Sequence, residues 1–161
     1  MRITSAEARL RGYDPAEVAR IKLAEEANRE AAELILLIDQ AFVSIPKPRI
    51  TLRVAHALDD EWIVSDERMA ELAKQDPEMD WREVSEEKTS RCQVYFSFGD
   101  SPGMRFYLPA FLIHFLREFP DYGHDEVYRA CVDRTLLDAL TEDELAVVDK
   151  FVAICQKYDV K

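Results

Sequence analysis

One stretch of this sequence leaves the fold few choices. From Met104 to Leu116 the chain reads Met-Arg-Phe-Tyr-Leu-Pro-Ala-Phe-Leu-Ile-His-Phe-Leu, apolar in nearly every direction around a helical wheel. A helix apolar all round has to be enclosed by other elements. Gly99-Asp100-Ser101-Pro102 supplies a stop, a capping side chain and an early-turn proline just before it. Its ten most apolar residues, Phe106 to Phe115, would rise only about 15 Å as a helix, roughly half the hydrocarbon core of a bilayer. The run therefore reads as the central buried helix of a globular domain and not as a membrane span. Pro109 removes a backbone donor and crowds the carbonyl of Arg105, so a kink is expected there.

The surrounding patterns are also helical. Asp14-Pro15-Ala16-Glu17 has a cap, a proline at the first helical position and an acid three residues after the cap. Apolar residues then recur three and four apart from Val18 to Phe42, with Arg20, Glu25, Glu26, Arg29, Glu30 and Glu33 on the other face. This predicts a helix of about thirty residues, some 45 Å long, ending near Val43 before Pro46 and Pro48. Its Ala- and charge-rich first half is expected to project and to pair with a second copy, making a homo-oligomer. Ile50 to Glu61 reads both ways, alternating like a strand and spaced like a helix. Ala55, Ala57 and the acids that follow favour helix. Ser65-Asp66-Glu67 and Ser85-Glu86-Glu87 are helix starts, and Thr141-Glu142-Asp143-Glu144 is a capping box before a last helix. The expected fold is a single mainly α domain over residues 1–161, with residues 1–48 holding the long helix and 50–158 the helical core. The alternative is α+β with a small strand pair near Ile50–Val54 and Tyr95–Phe98.

Charge narrows the partners. The net charge is −11 over 161 residues. Residues 1 to 50 carry eight bases and eight acids, whereas Asp59 to Glu87 carry twelve acids and three bases. Such a chain repels phosphate backbones, which excludes generic DNA or RNA binding. An acidic patch attracts cationic partners instead. Asp59, Asp60, Glu61, Trp62, Glu78, Asp80 and Trp81 are the residues expected to meet a basic protein, with the two tryptophans either anchoring the segment to the core or serving as contact points. Anchoring is the favoured role.

The segment Arg105-Phe106-Tyr107-Leu108-Pro109-Ala110-Phe111-Leu112 resembles the signature of a bacterial family of small proteins of unknown function, written R-[FY]-Y-L-P-A-[FY]-[LM]. Trp81-Arg82-Glu83-Val84 and the capped helix Thr141 to Tyr158 extend the resemblance, which covers residues 50 to 158. It implies a bacterial cytosolic origin and a mostly helical fold, and carries no activity.

Few residues point to chemistry. Asp76, Glu78, Asp80 and Glu87 echo positions 1, 3, 5 and 12 of a calcium loop, but Trp81 stands where the loop needs glycine and Pro77 interrupts it. His56 with Asp59 and Asp60, and His124 with Asp125 and Glu126, each offer a single imidazole, so no metal or cofactor is expected. Cys92, Cys131 and Cys155 form no C-x-x-C pair and read as core thiols in a reducing compartment. The N-terminus shows no signal-peptide pattern. Together these predict a cytoplasmic protein. No nucleophile elbow, Walker loop or dinucleotide fingerprint occurs. If the chain is an enzyme, a small hydrolase or transferase, its pocket should form where Arg105, Tyr107 and His114 converge. The favoured reading is a non-enzymatic acidic binding module, immunity- or antitoxin-like.

Overall fold

A computed structural model describes residues 2–121 and 125–160. Nine α-helices and one 3-10 turn lie among them, and no strand does. The helices are α1 (Ser5–Leu10), α2 (Pro15–Ala41), α3 (Leu52–Asp60), α4 (Asp66–Ala73), α5 (Glu86–Arg91), α6 (Tyr95–Phe98), α7 (Ser101–Arg117), α8 (Asp125–Asp133) and α9 (Glu142–Lys157). The 3-10 turn is Trp81–Glu83. The fold is thus mainly α, and the strand pair weighed as an alternative does not form: Ile50–Val54 leads into α3, capped by Thr51, and Tyr95–Phe98 is α6.

α7 is the centre of the domain. Asp100 Oδ1 caps it by accepting from Gly103 N at 2.9 Å. The helix runs on through Pro109 to Arg117, with Phe106, Tyr107, Leu108, Phe111, Leu112 and Phe115 buried around its circumference. α2 packs on α7 and α9, α5 packs on α7, and α8 packs on α9. Gly103 is required by a close approach. A Cβ there would lie 1.6 Å from the Tyr95 hydroxyl, which donates to the Ile50 carbonyl at 2.6 Å.

α2 spans 27 residues, about 40 Å. Its buried side chains lie mostly from the middle onward: Ala27, Ala31, Leu34 and Ile38, with Val18 alone before them. The first half, expected to project, is covered on one face by α1, which sequence periodicity was too short to reveal. Thr4 caps α1, and Ser5 donates to both Glu25 oxygens, at 2.9 Å from the backbone nitrogen and 2.7 Å from the hydroxyl. The far end of α2 has no basic residue in its last turn. Donors for its terminal carbonyls come from the 3-10 turn instead. Arg82 Nη2 donates to Asp39 O at 2.9 Å, and Trp81 Nε1 donates to Phe42 O at 2.9 Å.

α3 and α4 form a hairpin with a small apolar cluster of its own, Val54, Ala57, Met69 and Leu72, apart from the main core. No helix among the described residues is long and apolar enough to cross a membrane.

Candidate functional site

The acidic segment divides in two along α3. At the N-terminal end of this helix, Asp76 is buried, 4% exposed. Its Oδ2 accepts from Arg53 N at 2.8 Å, its Oδ1 from Lys88 Nζ at 3.0 Å, and its carbonyl from Lys47 Nζ. Glu78 shares the same ammonium at 2.6 Å. Burial alone would lower the Lys88 pKa, but the two carboxylates outweigh it and hold the group above the usual lysine range. Asp76 is thus a structural hub that gathers Lys47, α3 and α5. The calcium-like spacing gave no sign of this, since its partners lie outside that segment. Asp80 caps the 3-10 turn through Arg82 N at 2.9 Å and pairs with the Arg82 guanidinium, which also holds Asp39 at 2.7 Å. Trp81 is 4% exposed, with Arg82 stacked 4.5 Å over its ring. Glu78, Asp80 and Trp81 therefore belong to the scaffold.

The other end of α3 is different. From Arg53 to Asp60 the helix rises about 10 Å. Asp59 and Asp60 occupy its last turn, which holds no basic residue. That is the negative end of the helix dipole, where carboxylates are disfavoured. Neither has an ion-pair partner among the described residues. Glu61 pairs with Arg68 at 2.6 Å, and that bond holds its carboxyl below the usual carboxylate range. Then come Trp62, 99% exposed, and Ile63, 82% exposed. Ser65 restarts the chain as α4 by accepting from Arg68 N at 3.2 Å, and Arg49 crosses to Asp66. Of the two tryptophans that flank the acids, Trp81 is the anchor and Trp62 is not. Of the twelve acids from Asp59 to Glu87, six are in ion pairs; Asp59, Asp60, Glu67, Glu71, Glu83 and Glu86 are not, among the described residues.

Arg105, Tyr107 and His114 do not converge. Arg105 grips Glu144 with Nε 2.9 Å from Oε2 and Nη2 2.7 Å from Oε1. Glu144, 1% exposed, is also the capping-box acid of α9, so one carboxylate serves a helix start and a helix-to-helix clamp. Tyr107 is sealed in the core, edge-on to Tyr95 and Phe106. His114 lies elsewhere on α7, with Nδ1 2.8 Å from Thr89 Oγ1. Burial, helped by the Arg117 charge, lowers its pKa.

The thiols are buried. Desolvation pushes Cys92 and Cys155 up to about 12 and Cys131 further up, so none is a ready thiolate. Among the described residues no three His, Cys, Asp or Glu side chains gather as a metal site. His56 lines a groove of about 340 Å³ where Lys88 pairs with Asp76 and Arg91 with Glu87, while Arg53 donates to the neutral Gln75 amide. His124 lies outside the described residues.

No curated protein and no solved structure matches the chain. One family model does, over residues 30–158. The match starts twenty residues before the span that the Arg105 motif suggested, inside α2. It takes in Ala31, Leu34 and Ile38, the part of α2 buried against α7 and α9. The matched segment takes in nearly all of the main core, and the chain belongs to a family of unknown function, DUF6714.

Proposed function

We propose that this protein is a non-enzymatic binding module whose α3–α4 corner docks on a basic protein surface with an apolar cleft. The observation that carries this reading is the junction of Asp59, Asp60, Trp62 and Ile63. Two carboxylates stand at the wrong end of a helix, and two large apolar side chains follow in solvent. None of the four is compensated among the described residues. A partner that fills its cleft with Trp62 and Ile63 and faces the acids with lysines or arginines would compensate all of them, and tryptophan is prominent among residues that dominate interface energies. Neutralising a cationic protein, as immunity proteins and antitoxins do, is one concrete form of this role.

The test is an affinity capture from the source cell with three baits: the wild-type chain, W62A, and D59K/D60K. Hen lysozyme serves as a generic basic competitor. The expected result is a partner retained by the wild type against lysozyme, weakened by salt, and lost by both variants. Recovery of the same proteins by all three baits would overturn the reading.

A further inference from the structure

A second groove, of about 300 Å³, runs between α2, the 3-10 turn and α7. That is the lower end of the size range of small-molecule sites. Its walls are mainly apolar: Ile35 from α2, Val84 after the turn, Ala110 and Ile113 from α7. The groove's carboxylate, Asp39, is already held by Arg82. Two polar groups remain for a visitor, His114 and Arg117. They are three residues apart, so they share one face of α7.

The protonation of His114 follows from its neighbour. Thr89 Oγ1 lies 3.0 Å from the Glu86 carbonyl and 2.8 Å from His114 Nδ1. A carbonyl can only accept, and a hydroxyl has one proton to give. Both bonds form together when Thr89 donates to Glu86 and the imidazole donates from Nδ1. The neutral ring then carries its lone pair on Nε2. Nε2 has no hydrogen-bond partner among the described residues, and His114 lines the groove. Arg117 has no carboxylate within ion-pair distance among the described residues. The groove therefore offers an apolar wall, one hydrogen-bond acceptor and one cation side by side.

We propose that this groove binds a small 2-hydroxycarboxylate with an apolar side chain. Its carboxylate pairs with Arg117, its hydroxyl donates to His114 Nε2, and its side chain lies against Val84 and Ile113. The site is separate from the α3–α4 corner and does not depend on the docking reading.

Trp81 lines the groove and reports its occupancy once the exposed Trp62 is replaced by phenylalanine. Mandelate, which has the stated chemistry, is titrated into W62F and followed by Trp81 emission and calorimetry. For a ligand of this size the expected Kd is about 1 mM or tighter. Phenylacetate, without the hydroxyl, and mandelamide, without the charge, should each bind about tenfold more weakly, the size of one lost polar contact. Arg117→Gln in the same background should lower mandelate affinity about tenfold and leave mandelamide unchanged. Circular dichroism checks that the variant is folded. Equal affinity for mandelate and mandelamide, mandelate binding unaffected by R117Q, or no saturation below about 10 mM would overturn the proposal.

Discussion

The junction of α7 with α9 and the corner between α3 and α4 both place carboxylates at helix ends, and they treat them in opposite ways. Glu144 sits in the first turn of α9, the end where negative charge is welcome, and answers both Thr141 N and the Arg105 guanidinium. Asp59 and Asp60 sit in the last turn of α3, where the dipole opposes them, and answer nothing among the described residues. In the first place every local preference agrees with the fold. In the second, several disagree at once. Agreement marks residues that hold the domain together, and concentrated disagreement is the ground on which the docking proposal stands.

Breaking the clamp is expected to have the largest effect. Arg105→Met leaves the Glu144 carboxylate buried with only a backbone donor. Because Arg105 is itself 26% exposed, the loss falls toward the lower end for a broken buried pair, about 3 kcal/mol by urea denaturation. Gly103→Ala forces a methyl group against the Tyr95 hydroxyl, and should cost about 2 kcal/mol in the same assay. The corner should respond in the opposite sense. Asp59→Asn with Asp60→Asn removes two charges from the unfavourable pole of α3, and should raise stability by about 0.3–1 kcal/mol per site, seen as a higher Tm. A fall in Tm would mean that these acids have partners within the fold, and the comparison would lose its basis. Smallest of all, Trp62→Ala should change stability by no more than about 0.5 kcal/mol, because the ring touches solvent almost everywhere.

Much of the fold was legible because its signals are local. The cap and proline at Asp14-Pro15, the apolar circumference of α7, and the Thr141–Glu144 box each lie within one helix, and each became the element expected. The site was less legible, because its meaning depends on pairs distant in sequence. Trp62 and Trp81 look alike as flanks of an acidic run. Burial in the core and a bond to the Phe42 carbonyl, 39 residues before Trp81, separate an anchor from an exposed ring. Asp76 reads as one end of an interrupted calcium-loop spacing until Lys47, Arg53 and Lys88 close on it. His114 reads as a pocket partner of Arg105 and Tyr107 until Thr89, 25 residues earlier, fixes which nitrogen carries the proton. α1 was missed because six residues are too few to show a period.

The way α2 ends also bears on how the chain is made. Its terminal carbonyls take donors from Trp81 and Arg82, about forty residues downstream. During synthesis the whole of α2 is made before those side chains exist. At ordinary elongation rates the interval is about 2–8 s. For that time the last turn of α2 lacks its donors, and the apolar face destined for α7 and α9 lacks the helices that cover it. A nascent chain paused before residue 80 should therefore be the form of this protein most in need of a chaperone.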